Sequence, residues 1–253
     1  MDLGCVEFAV PGKSLDEKLG ALERRKMWLE LANDGNKRVE EVREVLASHS
    51  VPVKSVQAYR QHEFQLLGAN AKERELARLH VEETIRMAAE LGAKNTVVVI
   101  GYGAPGVEKP RKACLELFTD FGMLSGDLGV DVSIEFLGTK TSFLPRASDV
   151  HRLIKEVAVS NVRLLVDTMH VHSSGEDPAQ IIEMYAEDLG EVQLRDRGSK
   201  PPGKGEIDFT KIIEAIHKKY RGLVCLEYKP GSDPEADFDH AHKFVSRLIS
   251  GAR

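Results

Sequence analysis

The chain has 253 residues, of which 42% are hydrophobic and 30% are charged, so it can form a full hydrophobic core. This composition excludes a disordered or collagen-like protein. The formal net charge of -5 argues against a protein that coats nucleic acid, because such binding depends on clustered Lys and Arg. We therefore expect a globular protein with no nucleic-acid partner.

The cysteine pattern and the length of the apolar runs indicate the cellular compartment in which we expect the protein. Cys5, Cys114 and Cys225 are odd in number and widely spaced, which fits neither a disulfide framework nor a zinc motif, so we interpret them as buried thiols. No apolar run of the sequence approaches the roughly 18 residues of a transmembrane helix, and the first residues lack the basic region of a signal peptide. We expect a cytoplasmic protein that does not bind a membrane.

Short β-branched or apolar runs alternate with amphipathic helical segments along the chain, which is typical of a parallel sheet built from βα units. The predicted strands cover residues 3–10, 27–32, 53–59, 96–100, 130–136, 162–167, 191–194 and 223–228. Ser14, Asp177 and Asp233 are predicted helix N-caps, and the longest predicted helix, over 71–91, ends before Gly92. We predict a single-domain (β/α)8 TIM barrel over residues 1–253, although an open doubly wound sheet gives similar local signals.

Four predicted strand ends carry polar residues: Glu135, Asp167, Gln193 and Glu227. In a barrel of this kind the reacting groups project from the C-terminal ends of the strands. A carboxylate near the interior end of an apolar strand is costly unless it is paired or bound to a cation. Three carboxylates on neighbouring strands therefore predict one divalent metal ion. The oxygen-rich set favours Mn, Mg or Co, with Zn acceptable if a nitrogen ligand joins.

Two loops hold further candidates. Arg195, Arg197, Lys200 and Lys204 gather after the seventh strand, where many barrels bind phosphate. Acidic residues in the same stretch, Glu206 and Asp208, favour a solvated basic loop over a phosphate site. Lys229 lies two residues beyond the last acid and should share its face of the strand, which makes it a candidate substrate contact.

A glycine pattern follows the fourth predicted strand. Gly101, Gly103 and Gly106 have the spacing of a dinucleotide-binding motif, but Pro105 interrupts them and no helix start follows at the right place. This arrangement favours a loop at the barrel mouth over a nucleotide cofactor site.

The chain resembles the xylose isomerase-like barrels, a family that includes sugar and sugar-phosphate isomerases and epimerases, hydroxypyruvate isomerase, inosose-processing enzymes and, more distantly, endonuclease IV. The resemblance covers nearly all of the chain in strand order. Its most specific segments are Ile134-Glu135, Val166-Asp167-Thr168-Met169-His170, Val192-Gln193-Leu194-Arg195-Asp196 with the loop over 202–209, and Leu226-Glu227-Tyr228-Lys229.

The resemblance implies one metal ion held by Glu135, Asp167, Gln193 and Glu227, with Gln193 in place of the usual histidine. An amide oxygen is a weaker zinc ligand than imidazole but is acceptable to a hard ion. In the implied mechanism Glu135 and Glu227 exchange a proton with the carbon beside a ketone through a metal-bound enediolate.

The same resemblance bears on substrate contacts and on the endonuclease branch. His170 and Arg197 match positions that hold substrate oxygens in the family. Gln57 and Ile100 stand where the endonuclease branch has zinc-binding histidines, so we do not expect DNA repair.

The leading interpretation is a metal-dependent isomerase or epimerase of a small keto sugar or sugar phosphate. A metal-dependent dehydratase acting on an inosose-like or sugar-acid substrate would use the same enediolate. A barrel that binds a ligand or partner without catalysis is the third interpretation, and Gln193 is its main support. The sequence leaves open which sugar is used and whether the chain forms a homo-oligomer.

Overall fold

The computed structural model describes residues 1–102, 107–140 and 143–252. Eight parallel strands hydrogen-bond in chain order, and the last pairs with the first, which closes the barrel. The strands are β1 (Leu3–Val6), β2 (Trp28–Asn33), β3 (Val53–Ala58), β4 (Asn95–Ile100), β5 (Asp131–Phe136), β6 (Val162–Asp167), β7 (Leu189–Leu194) and β8 (Leu223–Leu226). The predicted (β/α)8 TIM barrel is therefore confirmed.

Helices follow the strands around the outside of the barrel. Those in the described residues are α1 (Leu15–Glu23), α2 (Val39–Leu46), α3 (Ala71–Glu90), α4 (Pro110–Asp127), α5 (Ala147–Val157), α6 (Thr168–Ser173), α7 (Pro178–Tyr185), α8 (Phe209–Lys219) and α9 (Pro234–Gly251). Ser14, Asp177 and Asp233 each accept a backbone N–H of the first turn, as predicted for N-caps. Gly92, after α3, has a φ of +76°, which glycine adopts without steric cost.

Two predicted strands are too long. The strand predicted over 3–10 ends at Val6, because the chain turns into a 3-10 helix at Glu7–Ala9. The strand predicted over 223–228 ends at Leu226, and beyond it the N–H of Lys229 donates to the carbonyl of Ser199 instead of to a neighbouring strand. The other predicted bounds lie within two residues of those observed.

The hydrophobic core lies between the barrel wall and the helices, where large side chains such as Phe118, Phe121, Phe209 and Phe238 are fully buried. All three cysteines are free and buried, as predicted. Of the glycine pattern after β4, Gly103 and Gly106 lie outside the described residues. Over the ranges that the structure describes, none of the helices combines the length and apolar character needed to cross a bilayer.

Candidate active site

The predicted strand-end residues meet at one mouth of the barrel. Glu135 lies in β5, Asp167 ends β6, Gln193 lies in β7, and Glu227 directly follows β8. All four side chains are buried. Asp167 is paired in register with Gln193 across β6 and β7. The parallel strands thus deliver these groups to the C-terminal end of the barrel, where TIM barrels place their reacting groups.

The short helix α6 shapes one side of the site. Asp167 is its N-cap, and its Oδ1 accepts the backbone N–H of His170 at 2.8 Å, which satisfies a free N–H of the first turn. The helix brings His170 Nε2 to 3.5 Å from Glu135 Oε1. Glu135, Asp167 and His170 each offer one ligand atom, and these atoms lie within 4.8 Å of one another. Carboxylates and imidazole are metal ligands, so this group could bind a metal ion.

Arg195 reaches into the same place. Its backbone is fixed to α6, because its N–H donates to Thr168 Oγ1 at 2.9 Å and its carbonyl accepts from that hydroxyl at 2.7 Å. Its guanidinium Nη2 lies 2.6 Å from Asp167 Oδ2, 3.5 Å from Glu135 Oε1 and 3.6 Å from Glu227 Oε2. The Arg195 side chain is only 11% exposed. One guanidinium nitrogen therefore lies among all three carboxylates.

This position bears directly on the predicted metal. An ion bound by Glu135, Asp167 and Glu227 would lie about 2.0 to 2.6 Å from an oxygen of each. Arg195 Nη2 already contacts those oxygens from the space between them. The donor set suits a cation, but in this arrangement a metal ion and the guanidinium exclude each other.

The buried charges shift the pKa values of the carboxylates in opposite directions. Burial raises the pKa of Glu227 to about 7, although Arg195 acts in the opposite direction. Burial alone would also raise the pKa of Asp167, but the positive charges of Arg195 and His170 hold it below its usual value. At neutral pH Asp167 is therefore ionised, while Glu227 exchanges a proton readily.

Gln193 faces a different carboxylate. Its Nε2 donates to Glu30 at 3.1 Å for Oε1 and 3.3 Å for Oε2, and both residues are fully buried. Its Oε1, the atom that a metal ion would need, has no hydrogen-bond partner in the described part of the chain. A metal-ligand role for Gln193 stays a prediction.

Beneath the site the barrel interior is polar. Asn95 Nδ2 donates to Glu191 Oε2 at 2.8 Å, and Ser133 Oγ donates to Asn95 Oδ1 at 2.6 Å. Burial and the neighbouring Glu191 carboxylate raise the pKa of Glu30 well above its usual value. The charged form of Glu30 is therefore disfavoured in this polar layer. Glu30, Glu191 and Cys225 form a second group whose ligand atoms lie within 4.8 Å of one another.

A cavity of about 120 Å³ opens above these residues. Its wall comes from the ends of β3, β4, β5 and β8, from α6 and from the residue that follows β7. The lining residues are Gln57, Ala58, Tyr59, Arg60, Gln61, His62, Val99, Tyr102, Glu135, Leu137, His170, Arg195 and Glu227. Gln61 is 3% exposed, and neither of its side-chain polar atoms has a hydrogen-bond partner in the ranges described. Buried polar atoms without partners are costly, so Gln61 is suited to bind a polar ligand.

Sequence reasoning missed part of this wall. Gln61 and Tyr102 lie beyond the ends of β3 and β4, in loops whose course the hydrophobic pattern does not predict. Glu191 carries a clearer signal, because it lies two residues before Gln193 on the same strand and must therefore point to the same face.

Two predicted substrate contacts lie outside the cavity wall. Arg197 is 68% exposed and pairs with Glu206, and Lys229 is exposed after β8. Lys204, in the same loop as Arg197, pairs with Asp237. Of the predicted basic cluster, only Arg195 lines the cavity.

Comparison with known proteins identifies the family. Residues 5–248 match the xylose isomerase-like TIM barrel family. A putative hydroxypyruvate isomerase from Streptomyces coelicolor is 29% identical over 198 residues, which cover 74% of this chain and 69% of that protein.

Two solved structures share the fold. A crystal structure of 3-keto-D-glucoside 4-epimerase from E. coli superposes with a TM-score of 0.85 at 20% identity and covers 99% of each chain. The IOLI protein, solved with a zinc atom, superposes with a TM-score of 0.81 at 16% identity, over 100% of this chain and 99% of that one. The match of the family over almost the whole sequence and the closed parallel barrel lead to one conclusion: the chain belongs to the xylose isomerase-like TIM barrel family.

Proposed function

We propose that this protein is an isomerase or epimerase of a small keto sugar, and that it moves a proton at the carbon beside the ketone. The observation that carries the proposal is the placement of two buried carboxylates, Glu135 and Glu227, within 3.6 Å of the same Arg195 guanidinium nitrogen in the wall of one cavity. The names of the related proteins, a hydroxypyruvate isomerase and a keto-glucoside epimerase, support the same chemistry.

The proposed reaction needs a base, an acid and a positive charge. One glutamate accepts the proton from the carbon beside the ketone. The electron pair of the broken C–H bond forms a C=C bond to the carbonyl carbon, and the π pair of the carbonyl moves to its oxygen, which gives an enediolate. The second glutamate returns a proton to the opposite face of that carbon, which yields an epimer. Return of the proton to the former carbonyl carbon, with the hydroxyl proton passing to the other oxygen, yields an isomer.

The properties of the site suit this division of roles. A group whose pKa lies near 7 can hold or release a proton at neutral pH, and Glu227 has that value because of its burial. His170 lines the same cavity and its Nε2 lies 3.5 Å from Glu135, which supports a role for the imidazole in carrying a proton between the two oxygens of the enediolate. We assign Glu135 and Glu227 as the acid–base pair.

The cavity supports a particular substrate class. Its volume of about 120 Å³ lies below the roughly 300–1,000 Å³ usual for ligand sites, which favours a short carbon chain. Arg197 and Lys204 pair with carboxylates and do not converge on the cavity, which favours a substrate without a phosphate group. Gln57 and Gln61 line the wall and suit sugar hydroxyls.

The test is a substrate screen in D2O followed by proton NMR. The panel holds hydroxypyruvate and ketoses of increasing chain length, each with and without a phosphate group, and the double variant Glu135→Gln/Glu227→Gln controls for contaminating activity. We expect the native protein to form an isomer or epimer that carries solvent deuterium beside the ketone. A dehydrated product would instead identify a lyase, and binding without turnover of any member would identify a ligand-binding barrel; either result would overturn the proposal.

A further inference from the structure

We propose that the guanidinium of Arg195 supplies the positive charge of this active site in place of a divalent metal ion, so that the protein works without a metal. The inference rests on the proposed function, since it assigns the group that stabilises the enediolate. It departs from the metal site that the resemblance implies. Two residues account for the difference from that metal site: Gln193, in β7, and Arg195, directly after β7.

The first observation is the place of the guanidinium. Arg195 Nη2 contacts Asp167 at 2.6 Å and lies 3.5 and 3.6 Å from Glu135 and Glu227. A metal ion bonded to the same oxygens would lie well inside the contact distance of Nη2 and would carry the same sign of charge. The three acids can therefore bind only one cation at a time, and in this structure that cation is the Arg195 guanidinium.

The second observation is that Arg195 is built into the site. Thr168 Oγ1 holds both its N–H and its carbonyl, at 2.9 and 2.7 Å. The residue is only 9% exposed. A buried guanidinium costs several kcal/mol unless it is paired, and the pairing here comes from the acids predicted to hold the metal.

The third observation concerns Gln193, the fourth expected ligand. Its Nε2 donates to both carboxylate oxygens of Glu30, on β2. The amide is thereby held by the polar layer beneath the site. A neutral amide is also the weakest metal ligand of the expected set. The chain thus combines a guanidinium between the three acids with the loss of the imidazole ligand.

The chemistry of arginine suits the proposed reaction. Its planar fork of N–H donors matches two neighbouring oxygens, which is what an enediolate presents. Arg195 lines the cavity, and its buried Nε has no hydrogen-bond partner within the described residues, so the guanidinium keeps a donor that the protein does not use. Arg195 donates hydrogen bonds to the oxygen on which charge develops and transfers no proton, while the proton moves between substrate carbon and carboxylate.

The experiment titrates Mn²⁺ alone into chelator-dialysed protein and follows free Mn²⁺ by electron paramagnetic resonance. The variants are Arg195→Ala, which removes the guanidinium, and Arg195→Ala/Asp167→Asn, which also removes one carboxylate. Arg43→Ala is the matched control, because Arg43 pairs with Glu90 on the outer helices. We expect no stoichiometric Mn²⁺ binding by the native protein or the control, one bound Mn²⁺ in Arg195→Ala, and its loss in the double variant.

A second readout uses the reaction. Arg195→Ala should lose hydrogen exchange by about 10²- to 10³-fold, as expected for one oxyanion donor, and millimolar guanidinium ion should restore part of it. Stoichiometric Mn²⁺ binding by the native protein that Asp167→Asn abolishes would overturn the proposal. The titration of the native protein tests whether the site binds a metal even if Arg195→Ala fails to fold. The Mn²⁺ titration uses no substrate, so its result does not depend on the substrate screen. Failure of that screen would overturn the proposed function alone.

Discussion

Arg195 Nη2 lies 2.6 Å from Asp167 Oδ2 at the mouth of the barrel. The two residues belong to the ends of neighbouring strands, and Thr168, which follows Asp167, holds the backbone of Arg195 through its hydroxyl. The pair is therefore fixed by the barrel and not by flexible loops. This rigidity suits catalysis, since a charge that is already oriented needs no reorganisation when the substrate reacts.

The role of Glu227 as acid or base predicts a specific loss in Glu227→Gln. The amide keeps the shape of the side chain but cannot accept a proton, so hydrogen exchange at the substrate carbon should fall by about 10²- to 10⁴-fold. The measurement is deuterium incorporation by NMR, with circular dichroism to show that the fold is kept. Glu235→Gln, at an exposed position of α9, is the control, and exchange at the native rate in Glu227→Gln would exclude Glu227 as the acid or base.

The pKa of Glu227, which burial raises to about 7, predicts the pH dependence of the reaction. We take Glu227 as the base that accepts the proton from the substrate carbon. A carboxylate acts as a base only when it is deprotonated, so kcat/KM should rise with pH below about 7 and level off above it. The measurement is the pH profile of kcat/KM with the best substrate of the screen. A rise centred near the ordinary glutamate value of about 4.3 would show that a carboxylate other than Glu227 is the base.

The polar layer under the site predicts different effects for two changes at Glu30. Glu30→Gln keeps an oxygen that can accept from Gln193 Nε2 and keeps the shape of the side chain, so it should change the free energy of unfolding by less than about 1 kcal/mol. Glu30→Ala leaves the Gln193 amide without an acceptor and opens a cavity, and should cost about 3 to 6 kcal/mol.

The measurement for Glu30 is urea unfolding followed by the fluorescence of Trp28, the single tryptophan of the chain. Glu44→Ala, at an exposed position of α2, is the control for loss of a glutamate. Equal stability of the Gln and Ala variants would contradict a structural role for the hydrogen bond between Glu30 and Gln193.

Asp196 organises the loop between β7 and α8. Its carboxylate accepts four backbone N–H groups at 2.7 to 3.2 Å, from Arg197, Gly203, Gly205 and Ile207. Asp196→Ala should therefore destabilise the protein by at least about 3 kcal/mol, since each hydrogen bond to a charged group contributes about 1.5 to 3 kcal/mol.

The control for Asp196 is Asp208→Ala, which removes the N-cap of α8 and an exposed ion pair with Lys211 and should cost about 0.5 to 2 kcal/mol. Hydrogen exchange over residues 197–207 should become fast in Asp196→Ala and stay slow in the control. The same slow exchange in both variants would show that the loop does not depend on this carboxylate.

The meeting of Glu135, Asp167 and Glu227 was predictable, because parallel strands of a barrel bring their ends to one face. The inward position of Arg195 could also be predicted, since Arg195 lies two residues after Gln193 and side chains alternate along a strand. The same rule fails for Lys229, two residues after Glu227. There β8 has ended, and the hydrogen bond from the Lys229 N–H to Ser199 carries the chain out of the sheet.

Contacts across the barrel were less predictable. Glu30 and Gln193 are 163 positions apart in sequence, and Asn95 reaches Glu191 across the interior from a strand on the far side. Strand patterns predict which face a residue occupies, but the partner across the barrel depends on the register of every intervening strand. The acceptor of the Gln193 amide therefore emerged only from the three-dimensional arrangement.

The most direct test of catalysis by Arg195 in place of a metal is the rate of substrate hydrogen exchange in D2O before and after exhaustive dialysis against a chelator. We predict the same rate in both preparations, no gain on adding Mn²⁺, Mg²⁺, Co²⁺ or Zn²⁺, and a loss of about 10²- to 10³-fold in Arg195→Ala. Loss of exchange on dialysis, with recovery on adding one of these ions, would contradict the assignment of Arg195 as the cation of the site.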